Sequence, residues 1–62
     1  MKAAERRQKI MASLSQAQVP ISASALASQF GVSRQIIVGD IALLRAADND
    51  VISTPKGYIL SQ

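Results

Sequence analysis

The chain has 62 residues, 48% of them hydrophobic, and seven Lys and Arg against four Asp and Glu give it a net charge of +3. That length allows one domain near the lower limit for a self-supporting core, and that apolar content is too high for a disordered chain. With no Cys and no His, disulfide staples, thiolate or imidazole metal sites and every Cys- or His-based catalytic pair are excluded, so no catalytic residue, metal or cofactor is expected in this chain.

Residues 3–16, AAERRQKIMASLSQ, are good helix formers without Gly or Pro and predict a first helix. Ala3, Arg7, Ile10, Met11 and Leu14 recur at helical spacing, so Ile10, Met11 and Leu14 form the buried stripe while Glu5, Arg6 and Lys9 stay in water. Lys2, Arg6, Arg7 and Lys9 place four of the seven basic residues in the first nine positions. Phosphate contacts are open to each of them, and a solvated helix face is the simpler reading. The same stretch lacks the apolar centre of a signal peptide, and no apolar run is long enough to cross a bilayer; no membrane partner and a cytoplasmic location are expected. Pro20, in QVPIS, stops the helix and leaves a short extended piece around Ile21.

Ser22 is a good N-cap for a second helix of about two turns, ASALASQF, with Leu26, Ala27 and Phe30 inward. Ala25 stands where a capping box would have Glu or Gln. Gly31 ends this helix in the left-handed conformation, the turn buries Val32, and Ser33 caps a third helix running from Arg34 to about Ala47.

Local propensity argues against that third helix, because Ile36, Ile37, Val38 and Gly39 read as strand or bulge. Strand alternation fails, however, and Ile37, Ile41 and Leu44 lie on one helical stripe. The β-branched run and the glycine cost roughly 2 kcal/mol against alanine, whereas burying those three side chains contributes about 1.5–3 kcal/mol each. Burial decides for a helix. The polar break ADND follows, with Asp48 and Asp50 solvated in the loop. In VISTPKGYIL two β-rich runs, residues 51–54 and 58–60, flank Pro55, Lys56 and Gly57, which predicts a hairpin. The fold class is α+β, mostly α: three helices followed by a β-hairpin.

Two helices joined by a short glycine-containing turn, the second capped by serine, describe a helix-turn-helix. Ala27 is small where the two helices cross, Gly31 makes the turn, and Ile37 locks the second helix down, with Leu26, Phe30 and Val32 completing the apolar set. The basic balance suggests an anionic partner, nucleic acid first.

Residues 22–47, SASALASQFGVSRQIIVGDIALLRAA, together with VISTPKGYIL, resemble the winged helix-turn-helix of bacterial transcription repressors. The segments VSRQ, V.DI..LR and TP.GY.L are similar to the N-terminal domain of the niacin-responsive (3H-domain) repressor family, whose effector domain carries a three-histidine metal site. A similar wing occurs in biotin-ligase repressors. The resemblance implies that residues 1–62 form the winged helix-turn-helix DNA-binding domain of a repressor. It also implies a fragment without a C-terminal effector-binding domain, which would supply a homodimer contact. Ala25 replaces the family's usual acidic residue, and Gly39 stands where relatives carry a long polar one.

The expected function is sequence-specific double-stranded DNA binding, with helix 34–47 in the major groove and wing 51–60 on the backbone or minor groove. Opposite Ile37 and Leu44 lie Gln35, Val38, Gly39, Ala42 and Ala46, with Arg34 in the first turn. Arg34 suits guanine O6 and N7, Gln35 suits adenine N6 and N7, and Val38 suits a thymine methyl. Ser33 at the helix N-terminus, Arg45 further along, and Thr54 and Lys56 in the wing are the expected backbone contacts. Asp40 is read as orienting a neighbouring basic side chain, and Tyr58 as packing the wing onto the third helix. The alternative is a protein-interaction module that uses the small-residue face of Gly39, Ala42 and Ala46.

Overall fold

Three helices, α1 (Ala3–Gln16), α2 (Ala23–Phe30) and α3 (Arg34–Ala46), precede an antiparallel hairpin of β1 (Val51–Thr54) and β2 (Gly57–Leu60) in a computed structural model that describes residues 1–61. This is the winged helix-turn-helix arrangement, mostly helical, that the sequence predicts. No helix among the described residues is long and apolar enough to cross a membrane.

The breaks between elements carry the local chemistry. Ser22 has extended backbone, and its Oγ accepts from the Ala25 N–H at 3.0 Å, capping α2 without the reciprocal acidic partner. Gly31, at φ 66° and ψ 36°, turns the chain, and the Ala27 carbonyl accepts from the N–H groups of both Gly31 and Val32. Ser33 then caps α3 by accepting from the Ile36 N–H at 3.2 Å. Each serine cap is worth about 1 kcal/mol. At the far end of α3 the reversal uses no glycine. Asp48 takes φ 65°, and Asn49 donates to the Leu44 carbonyl through both its backbone N–H and its side-chain Nδ2. Short polar side chains are the ones that tolerate this backbone region.

All three helices and the base of the hairpin share one core. Ile10 and Leu14 of α1, Leu26 of α2, and Ile37 and Ile41 of α3 are fully buried, and Ala23, Ala27, Leu44 and Val51 complete the sealed set. Met11, Ile21, Phe30, Val32, Tyr58 and Leu60 are half-buried around it. In the hairpin, Val51 pairs with Leu60 and packs on this core, whereas Ile52 pairs with Ile59 and remains exposed.

The extended piece after Pro20 has a definite role. Ile21 pairs antiparallel with Tyr58, its N–H donating to the Tyr58 carbonyl at 2.9 Å and its carbonyl accepting from the Tyr58 N–H at 2.7 Å. The wing thus has a third backbone partner, beside its turn. The approach is close enough that a Cβ on Gly57 would lie 2.4 Å from the Ile21 carbonyl carbon, and Gly57 also has φ 143°. It is glycine for two reasons, dihedral and space. It also opens β2 one residue earlier than the sequence predicts, because it closes the register against Thr54.

The two turn glycines should respond differently to the same substitution. Gly31→Ala meets open space and carries only the left-handed backbone cost, about 1–2 kcal/mol. Gly57→Ala adds a backbone clash that no side-chain rotation relieves, so its urea midpoint should fall further. Equal midpoints for the two variants would contradict the close approach of Ile21.

Candidate nucleic-acid interface

With Ile37, Ile41 and Leu44 turned inward, α3 presents Arg34, Gln35, Val38 and Gly39 outward, all exposed, around one shallow open depression. Val38 is 46% exposed although apolar. A second, more polar cleft lies between the start of α2, the start of α3 and the wing. Ser22, Arg34, Thr54, Lys56 and Tyr58 are among the residues that line it. Arg34 borders both surfaces and therefore links the exposed face of α3 to the wing tip.

The expected site residues divide between these places. Arg34, Gln35 and Val38 are brought together on one face, and Arg34 lines the same cleft as Thr54 and Lys56. Ser33 is exposed at the N-terminus of α3; as its Oγ caps the helix by accepting, its O–H stays available to donate outward. The Thr54 hydroxyl is occupied within the turn. It donates to the Gly57 carbonyl at 2.8 Å and accepts from the N–H groups of Lys56 and Gly57 at 3.2 and 3.1 Å. It therefore holds the shape of the wing tip from which Lys56 projects. Arg45 stands eleven residues after Arg34, about 16 Å along the helix axis, and its Nε donates to the Val51 carbonyl at 3.0 Å, tying α3 to β1. Gly39, Ala42 and Ala46 are all exposed.

Behind this face sits a buried charge. Asp40 is 3% exposed in the middle of α3. Arg6 grips it in a bidentate manner, Nε on one carboxylate oxygen and Nη2 on the other at 3.1 Å, and Arg7 Nη1 adds a contact at 3.4 Å. Asp40 does hold basic side chains, as the sequence suggests, but the expectation that Arg6 stays in water is wrong. Its side chain is only 14% exposed. A signal was present in the sequence: Asp40 falls three residues after Ile37 on the inward side, and a buried carboxylate requires a cation. The hydrogen bond that Arg6 donates to Asp40, opposed by desolvation and aided by the carboxylate charge, raises the Arg6 guanidinium above the ordinary arginine value, so this partner remains cationic throughout the working pH range.

The pairings redistribute the positive charge. Arg6 and Arg7 share Asp40, and Lys9 lies 3.5 Å from Glu5. Among the described residues Lys2, Arg34, Arg45 and Lys56 make no ion pair, so uncompensated charge lies at the start and the last turn of α3, at the wing tip and before α1.

Residues 6–59 match the profile of a family described as "HTH domain". The chain is 42% identical over 57 residues to the probable transcription repressor NiaR of Thermotoga maritima, covering 92% of this chain and 33% of that protein. It is 39% identical over 56 residues to the transcription repressor NadR of Bacillus subtilis, covering 90% of this chain and 31% of that protein. The chain thus spans about a third of the length of these curated relatives.

The unequal grips on Asp40 set an order of stability. Arg6→Ala removes the bidentate contact and leaves the carboxylate buried, and should lower Tm by roughly 5 °C or more, a large step for a domain of this size. Arg7→Ala, which removes a single long contact, should lower it less. Thermal unfolding followed by circular dichroism checks the order; a larger loss at Arg7 would contradict it.

Proposed function

The chain belongs to the HTH domain family, and on that premise we propose that it is the sequence-specific DNA-binding domain of a bacterial transcription repressor. The observation that carries this reading is the exposed face of α3, where Arg34, Gln35 and Val38 stand together beside the wing-tip Lys56 with their positive charge unpaired. The names of the two relatives, both transcription repressors, agree with it.

In this reading α3 lies in the major groove of a duplex. Arg34 makes two hydrogen bonds to a guanine, Gln35 pairs with an adenine edge, and Val38 touches a thymine methyl. Ser33 and the N–H groups at the start of α3 meet a phosphate. Lys56 meets the backbone or the minor-groove edge from the wing, held there by the Thr54 turn. Arg45 reaches a phosphate with the terminal nitrogens that its bond to Val51 leaves over. Two-fold dimers of such domains read half-sites one helical turn apart. Binding by one copy of these 62 residues is accordingly weak, and tight binding requires a second copy held in register.

Duplex titrations at two salt concentrations test the roles. Arg34→Ala should lose about 1–3 kcal/mol of discrimination at one base pair. Lys56→Ala should weaken all sequences alike and reduce the slope of log K against log salt by about one. Binding that is absent, or indifferent to salt, would overturn the proposal.

A further inference from the structure

Gly39 has no reason within this molecule to be glycine. It stands mid-helix, where glycine costs about 1 kcal/mol against alanine. Its backbone is not in the positive-φ region that holds Gly31 and Gly57. A Cβ built on it would meet no atom within 4 Å. Neither strain nor crowding inside the chain excludes a side chain, so the helix carries a weakening residue that its own packing does not use.

The surroundings indicate what the missing side chain makes room for. Gly39 shares its depression with Val38, Gln35 and Arg34. Val38 follows Arg34, and Gly39 follows Gln35, by one helical turn. The absent Cβ therefore leaves a notch about one methyl wide, walled by the exposed Val38 isopropyl group, with guanidinium and amide donors one turn towards the helix N-terminus. Apolar contact beside hydrogen-bond donors matches one feature of the major groove, the thymine C5-methyl next to purine N7 and O6 acceptors. A phosphate does not fit this notch, because its wall is apolar.

Resting on the reading of α3 as a recognition helix, we propose that Gly39 is a specificity-determining residue whose missing side chain admits a thymine C5-methyl between Val38 and the helix backbone. A residue with a side chain here would stabilise the free helix and hold the base edge off. The glycine thus exchanges stability of the free protein for close approach to DNA.

The test begins with selection from a random duplex pool at low salt by the 62-residue chain, followed by titration of the selected duplex with each thymine in turn replaced by deoxyuracil, which removes only the methyl. For the unsubstituted protein one replacement should raise Kd by about three- to fivefold, the effect of one buried methyl. Gly39→Ala should raise Tm, weaken binding to the thymine duplex by about tenfold, comparable to one mismatched pair, and lose the preference for the methyl. A Gly39→Ala protein with higher Tm, unchanged Kd and the methyl preference intact would overturn the proposal, and this is also the outcome if the face packs against a protein. Indifference of the unsubstituted protein to every deoxyuracil would overturn it too. Failure of the unsubstituted protein to select or bind any duplex would overturn the recognition-helix reading itself, and the Gly39 proposal with it.

Discussion

The burial of Ile37, Ile41 and Leu44 along one side of α3 is the interaction on which the rest of the molecule depends. A helix of thirteen residues with a β-branched, glycine-interrupted middle would not persist alone in water. It exists because Ile37 and Ile41 are sealed against α1 and α2, with Ala27 small enough to let the helices cross. Once that stripe is seated, the rotation of α3 about its own axis is fixed. The outward position of Arg34, Gln35, Val38 and Gly39 is then a consequence of core packing, and no separate device is needed to aim them.

A hydrophobic stripe fixes rotation better than it fixes sliding, because apolar contacts have little direction. The grip of Arg6 on Asp40 supplies the direction that is missing. A bidentate guanidinium–carboxylate pair is directional, and this one, made through Nε and Nη2, pins the first turns of α1 to the middle of α3. It also changes where the molecule is positive. By sequence the basic residues crowd the N-terminus, yet two of those four are committed to Asp40 and a third faces Glu5. Of the four basic side chains left without an ion pair among the described residues, Lys2, Arg34, Arg45 and Lys56, only Arg34 and Lys56 line one cleft.

Much of the fold was legible because its breaks are chemically local. Ser22, Gly31 and Ser33 each act through their own dihedral or through a donor three residues away, and α2 and the start of α3 lie where these residues put them. The features that escaped the sequence are joined by tertiary structure. Arg6 reads as a surface residue until α3 brings Asp40 to it across 34 positions. The pairing of Ile21 with Tyr58 cannot be seen from an isolated residue after a proline. Asp48 closes α3 in a backbone region where glycine would be the obvious sign, so ADND shows a break without showing its geometry. In the candidate interface the helical wheel correctly grouped Arg34, Gln35 and Val38. Thr54 and Arg45 were harder to judge, because their polar atoms turn out to be used by the fold itself.

Two separate lines of structure bring Arg34 and Lys56 to the same cleft, and they meet at Ile21 and Ser22. The backbone of Ile21 holds β2, and with it the Thr54–Gly57 turn that carries Lys56. The side chain of Ser22 starts α2, whose Leu26 and Ala27 seat α3 and so place Arg34. The wing is tied to α3 at its base, where Arg45 holds the Val51 carbonyl, and the Ile21–Ser22 junction positions its other end, near the turn. Gly57 is glycine so that the wing can approach this junction, and Ser22 itself lines the cleft that results. The linker between α1 and α2, which reads in the sequence as a mere interruption at Pro20, therefore helps to set the distance between Arg34 and Lys56 across the cleft.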